Sequence, residues 1–159
     1  MRVAILTVSD AGARGARADT SGDAIAAWVS ERGFTLADRA LVRDESVEIV
    51  RRLVGWCDGD SADLVLTTGG TGLSPRDNTP EATRAVLERE AEGIAERLRV
   101  ACIESFPRAA LSRGVAGSRH RTLIVNLPGS PGGVRDALRA LEPIVEHAVT
   151  IVRGERTDH

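Results

Sequence analysis

The sequence predicts an α/β fold whose mainly parallel sheet carries helices on both faces. Three observations predict it. Short apolar runs of strand length alternate with longer stretches of helical period along the chain. The runs Leu64-Val65-Leu66 and Leu123-Ile124-Val125 are apolar at consecutive residues, as strands buried on both faces must be. The acids, hydroxyls and glycines gather just after such runs, where open α/β sheets bind their ligands.

In chain order, residues 3–8 read as the first strand, followed by a Gly/Ala/Arg-rich loop over 10–19. Thr20 or Ser21 can cap a helix that runs to about Arg32, with Ile25, Trp28 and Val29 at helical spacing and Gly33 placed to end it. A second strand over 35–42 leads to Asp44, and the next helix carries Val47, Val50, Leu53 and Val54 and ends near Gly59. The strand at 64–66 runs into Thr67-Thr68-Gly69-Gly70-Thr71-Gly72. Thr79-Pro80-Glu81 then starts a helix: a hydroxyl for the cap, Pro at the first position and an acid in the first turn. Helical patterning continues past a break near Gly93 to about Phe106, and residues 109–117 have no clear period. After the strand at 123–125 comes a last helix, reaching about Val152, with Val134, Leu138, Leu141, Val145 and Val149 on its core face. No repeat or low-complexity linker interrupts this pattern, so one domain over residues 1–159 is expected.

Composition removes several functions. A net charge of -2, 3% aromatic residues and no Tyr leave neither a basic surface nor a stacking platform for nucleic acid. All 21 basic residues are Arg, so the chain has no lysine Schiff base and no P-loop lysine. A bound phosphate must therefore be held by backbone N–H groups, by Arg or by a metal ion. Cys57 and Cys102 lack CxxC spacing and read as reduced, partly buried thiols within helices. His120, His147 and His159 form no ligand spacing with Cys or carboxylates, so zinc is not expected. The apolar start is too short for a signal h-region or a membrane span, which points to a cytoplasmic protein without a membrane partner.

The run Thr67 to Gly72 packs three glycines and three threonines into six residues. It can be a plain tight turn between strand and helix. It can also bring N–H groups close to an anion, since Gly has no Cβ to clash, and its composition exceeds what a turn requires. Asp77 follows this loop and Asp44 ends another strand. Beside bound phosphates, one or two carboxylates are what Mg²⁺ needs. Asp44 can equally cap the helix after it, and Asp77 can hydrogen-bond within its own loop. Ser130 reads first as a helix cap ahead of Pro131, with a cluster of N–H groups facing the same cleft as the functional alternative. Arg113, after Ser112, is either a phosphate ligand or a surface arginine.

The whole run from Leu64 through Gly72, continued by Pro75-Arg76-Asp77-Asn78-Thr79-Pro80-Glu81-Ala82-Thr83, resembles the signature of the molybdopterin adenylyltransferases. These are the bacterial MogA/MoaB family, related to the G domains of plant Cnx and of gephyrin. Val8-Ser9-Asp10, Asp19-Thr20-Ser21-Gly22, Asp44-Glu45, Leu111-Ser112-Arg113 and Asn126-Leu127-Pro128-Gly129 extend the likeness in the same order over essentially the whole chain. Ser130 departs from it, standing where Asn is common. The resemblance implies a three-layer α/β/α sandwich, a homotrimer, and Mg²⁺-dependent transfer of AMP from ATP to the terminal phosphate of molybdopterin. It makes Asp77 and Asp44 the catalytic and metal-binding acids. Thr68, Gly69, Gly70, Thr71 and Gly72, with Ser112 and Arg113, become the phosphate and substrate contacts. Ser9, Asp10, Ser21, Pro128, Gly129 and Ser130 fall on the nucleotide side. The adenylylated product would pass to a separate molybdenum insertase.

Such a transfer fits a chain without lysine. The pterin's phosphate is already a nucleophile, so neither a side-chain base nor a covalent intermediate is required. Two alternatives stand beside it: a non-catalytic molybdopterin-binding or scaffold protein of the MoaB branch, and another nucleotide enzyme on the scaffold shared with competence-damage proteins.

Overall fold

A computed structural model describes residues 1–155, so His159 lies outside the described residues. The chain alternates as expected: β1 (Arg2–Val8), α1 (Asp10–Ala13), α2 (Thr20–Glu31), β2 (Thr35–Val42), α3 (Ser46–Asp58) and β3 (Leu64–Thr68). Then follow α4 (Thr79–Val86), β4 (Arg89–Glu90), α5 (Glu92–Ser105), a 3₁₀ turn (Pro107–Leu111), β5 (Ala116–Arg119), β6 (Thr122–Leu127) and α6 (Pro131–Val152). The six strands lie in the order β2-β1-β3-β6-β5-β4. The first four are parallel, and β5 and β4 close one edge antiparallel.

Strand alternation divides the core into two. Val3 and Ile5 of β1 point to one face and pack with Ile25 of α2, Leu98 of α5 and Leu138 and Leu141 of α6. Ala4, Leu6 and Val8 point to the other and meet Ile49 and Leu53 of α3 and Val86 of α4. Each fully buried Leu or Ile contributes about 1.5–3 kcal/mol, so neither layer of helices is dispensable. This is the predicted parallel sheet with helices on both faces.

Several local expectations change. The loop expected over 10–19 contains the short α1, because the Ser9 hydroxyl accepts from Gly12 N at 3.0 Å and caps it. Neither Thr20 nor Ser21 caps α2; Asp19 does, accepting from Gly22 N at 2.9 Å. Val47, expected on the core face of α3, is 68% exposed, and Ile49, Trp56 and Cys57 complete that face with Leu53. Thr79 opens α4 without capping it: Asn78 is the cap residue, and the Thr79 hydroxyl is used elsewhere. The break lies before Gly93, where β4 pairs with β5; Gly93 itself sits in the first turn of α5. Tertiary pairing with the sheet edge overrides local helix propensity there. Ser130 does cap α6, accepting from Gly133 N at 3.1 Å.

The chain leaves β1 toward β2 on one side and returns to β3 on the other. The crevice at the carboxyl ends of β1 and β3 is therefore the topological switch point, the place where a ligand fits. Among the described residues no helix is long and apolar enough to cross a membrane.

Candidate active site

The Gly-rich loop fills that switch point. Gly69 and Gly70 have φ of +92° and +64°, a region other residues enter at a cost. Space forbids side chains as well: a Cβ on Gly69 would strike the Val8 carbonyl, and one on Gly70 would strike Asp44 Oδ2 and Thr79 Oγ1. The loop's carbonyls all face inward. Thr79 Oγ1 donates to Gly69 O (3.0 Å), Thr79 N to Gly70 O (3.1 Å), Arg113 N to Thr71 O (2.8 Å) and Arg113 Nε to Gly72 O (2.7 Å). The N–H groups of Gly70, Thr71 and Gly72 donate to no group among the described residues. A row of free N–H groups with its carbonyls tied back forms a nest that can take up an anion. A plain turn would leave the two kinds of group more evenly spent.

Arg113 is the clamp of this loop. Its Nη2 donates to Asp77 O at 2.8 Å, and Nη1 pairs with Glu81. The guanidinium bonds the backbone of the loop and does not line the large cleft. Ser112, beside it, lines the open side.

Two carboxylates flank the nest. Asp44 is 6% exposed; its Oδ1 accepts from Asn78 N at 2.9 Å, and its Oδ2 lies against Gly70. Glu45 takes the cap position of α3 without a side-chain bond, so Asp44 does not cap that helix. Burial pushes the Asp44 carboxyl above the ordinary aspartate value, the Asn78 N–H opposes this, and the charge of Asp77 adds to it. Asp77 Oδ2 accepts from Ser74 N at 3.0 Å and sits beside Gly72, where a Cβ would lie 2.8 Å away. The described residues hold no group of three or more His, Cys, Asp or Glu able to take a metal ion. Two oxygen-donor carboxylates beside a phosphate nest nevertheless fit Mg²⁺, which draws its other ligands from phosphates and water.

Asp10 stands one step back. Its Oδ1 accepts from Asp44 N at 3.0 Å and its Oδ2 pairs with Arg76 Nη2 at 2.9 Å, so it orients Asp44. The Asp44 N–H and then Arg76 hold its carboxyl below the usual range.

The loop separates two clefts. A large one of about 640 Å³ is lined by Gly70 to Gly72, Asp77, Ser112 and Pro128 to Ser130, with an apolar wall from α5 and the 3₁₀ turn. A small one of about 210 Å³ holds Ser9, Ser21, Thr68 and Gly69. Gly70 and Gly129 belong to both. The Ser21 hydroxyl donates to Gly129 O at 2.8 Å and Thr68 Oγ1 to Pro128 O at 2.6 Å, tying the shared wall together. The residues expected on the nucleotide side are thus divided: Ser9 and Ser21 line the small cleft, Pro128 and Ser130 the large one, Gly129 both and Asp10 neither.

Sequence reasoning missed Asn78, which joins the Asp44 strand end to the loop, and Asp19, which lines the small cleft while bonding Thr7 Oγ1 at 2.9 Å. It also missed the wall formed by Leu98, Cys102 and Phe106. Phe106, a large apolar side chain where the helical patterning ends, was the available signal.

Comparison with known proteins shows the family and the fold. Residues 4–147 match the model of a family described as a probable molybdopterin binding domain. A molybdopterin adenylyltransferase of Helicobacter pylori (strain J99) is 38% identical over 156 residues, covering 97% of this chain and 89% of that protein. The molybdopterin adenylyltransferase of Escherichia coli K12 is 37% identical over 89% of this chain and 74% of its own length. Among solved structures, the molybdopterin biosynthesis enzyme MoaB of Thermus thermophilus superposes with a TM-score of 0.91 at 53% identity, covering 96% of each chain.

Proposed function

As the chain belongs to the probable molybdopterin binding domain family, we propose that it adenylylates molybdopterin in molybdenum cofactor biosynthesis, as one domain over residues 1–159. The terminal phosphate of molybdopterin attacks the α-phosphorus of ATP. A new P–O bond forms, the α–β bridging bond breaks, and pyrophosphate leaves with the bonding electrons. The attacking oxygen is already deprotonated at neutral pH, so no side chain need take a proton.

The observation that carries this reading is the row of free N–H groups at Gly70, Thr71 and Gly72, with Asp44 beside Gly70 and Asp77 beside Gly72. The N–H groups receive phosphate oxygens, and fixed dipoles of this kind stabilise the charge that builds in the transition state. Asp44 and Asp77 would hold Mg²⁺, which would neutralise phosphate charge in a chain that has no lysine to do so. Asp10 and Arg76 set the Asp44 strand end, and Arg113 keeps the loop in register, acting as a positioning residue. Molybdopterin occupies the large cleft, ATP reaches in from the small one, and the shared wall at Gly129 sets their phosphates against each other.

The active form is a homotrimer, and exposed Val100 (59%) and Ile103 (37%), one turn apart on α5, offer apolar surface for such an assembly. The reaction is assigned to the cytoplasm, where ATP is plentiful, and the product passes to a separate molybdenum insertase.

Incubation with molybdopterin, ATP and Mg²⁺, read by mass detection of adenylylated molybdopterin and by pyrophosphate release, tests the reading. Both products are expected, and both disappear on exhaustive chelation. Molybdopterin binding without either product would leave a scaffold protein instead.

A further inference from the structure

The large cleft is lined by both polar and apolar side chains. The loop Gly70–Gly72 lines it, as does an apolar wall of Leu98, Cys102 and Phe106. The same cleft holds a carboxylate that the adenylyl transfer does not use: Asp136 of α6, whose Oδ2 accepts from Ser105 Oγ at 2.8 Å. Asp136 lies six residues beyond Ser130. At 1.5 Å per residue that is about 9 Å along the helix axis from the cap. Gly132 and Gly133 also line the cleft, so no side chain of theirs stands between the cap and Asp136.

This carboxylate is placed but not neutralised. Among the described residues its cationic neighbour is Arg139, at 3.7 Å on a side chain 77% exposed, a contact that water screens. Ser105 occupies one of roughly four lone-pair positions, which orients the carboxylate and leaves both oxygens able to accept.

A pterin ring carries N3–H and a 2-amino group side by side on its pyrimidine edge. Two adjacent N–H donors are the pattern that a carboxylate satisfies with both oxygens at once. The ring's faces are apolar and need a surface such as Phe106, which is 49% exposed with the Arg108 guanidinium 5.0 Å from its centroid. A cleft that combines free backbone N–H groups, an apolar wall and an unneutralised carboxylate offers a partner to each part of a phosphorylated pterin.

We propose that Asp136, oriented by Ser105, selects the pterin ring by accepting from its N3–H and 2-amino group. The inference rests on the molybdopterin reading above and adds to it the residue that distinguishes a pterin from phosphorylated heterocycles lacking that pair of donors.

The test is calorimetric titration with 6-hydroxymethylpterin phosphate and with the matching lumazine, in which a carbonyl replaces the 2-amino group. Wild type is expected to bind the pterin at least about tenfold tighter, since the lumazine turns an acceptor toward the carboxylate. In Asp136→Asn the amide can donate to that carbonyl, so the preference falls to about 1 while the melting curve and ATP binding stay as in wild type. Ser105→Ala frees the carboxylate to rotate and narrows the preference without removing it; Ser105 is exposed, so this variant carries the test if the Asn variant does not fold. A folded Asn variant that keeps the wild-type preference overturns the assignment of Asp136 and leaves molybdopterin binding intact. Wild type binding neither compound nor molybdopterin overturns the functional reading, and this assignment with it.

Discussion

Asp77→Asn separates chemistry from folding more cleanly than any other change at the site. Asp77 is half-buried, and its one hydrogen bond as acceptor, from Ser74 N at 3.0 Å, can pass to the amide oxygen of Asn. The backbone around it is held independently: Asp77 N donates to Ser74 O at 2.9 Å, and Arg113 Nη2 donates to Asp77 O at 2.8 Å. No partner is left unsatisfied, so the stability change should stay within about 0.5 kcal/mol, a melting shift of roughly 1–2 °C for a domain of this size. What disappears is a full negative charge beside the nest. If that charge holds Mg²⁺ against the phosphates in the transition state, AMP transfer should fall about 100-fold, or ~2.7 kcal/mol. Asp44 gives a less clear answer, because it is buried and its carboxylate holds Asn78, so its loss disturbs the loop as well. The assay is single-turnover AMP transfer over a range of Mg²⁺ concentrations, with a molybdopterin titration and a melting curve for the same protein. Molybdopterin affinity should persist, since the Gly70–Gly72 backbone is unchanged. A folded Asn variant that transfers AMP at near wild-type rate would refute the metal role of Asp77.

Two further outcomes test the frame that carries the site. Gly69→Ala forces a side chain into the left-handed region against the Val8 carbonyl, where strand β1 cannot yield, and should cost about 3 kcal/mol by thermal melting; Gly55→Ala, on an open face of α3, should instead stabilise by about 0.5–1 kcal/mol. Equal effects at the two positions would contradict the close approach of Gly69 to β1. The second concerns Asp63, just before β3. Burial alone would raise its carboxyl, but hydrogen bonds from Arg2 and the charge of Arg153, whose Nη1 lies 2.6 Å away, outweigh it and hold the folded value below the ordinary one. A depressed folded value stabilises the protein above the unfolded aspartate value, and that stability is lost as pH falls through the folded one. Urea midpoints measured down through about pH 4 should therefore drop more steeply for wild type than for Asp63→Asn; parallel curves would rule the cluster out as a source of acid lability.

Much of this was legible along the chain. Each main strand and helix follows from short-range signals, such as the apolar triplet at Leu64 to Leu66 and the Ser130-Pro131 start of α6, which act within a turn or a few residues. The weaker local signals were the ones that misled. Val47 matched the helical period by count but faces solvent, because the face of α3 that packs is chosen by the sheet beneath it. Thr20 and Thr79 are good cap residues by type, yet Asp19 caps α2 and Thr79 is drawn to the Gly69 carbonyl.

By itself, the sequence determined the α/β order, the absence of lysine chemistry, and the pairing of a Gly-rich loop with Asp77, because each of these is a property of neighbouring residues or of composition. Tertiary structure alone decided which partner each polar side chain would meet. Asp44 lies under Gly70, Arg113 reaches back to Gly72, and Ser105 meets Asp136, each pair joining segments far apart along the chain. Hydrogen bonds and charge pairs act over a few ångströms of space, whatever the distance along the chain, and only the folded sheet sets which residues come that close.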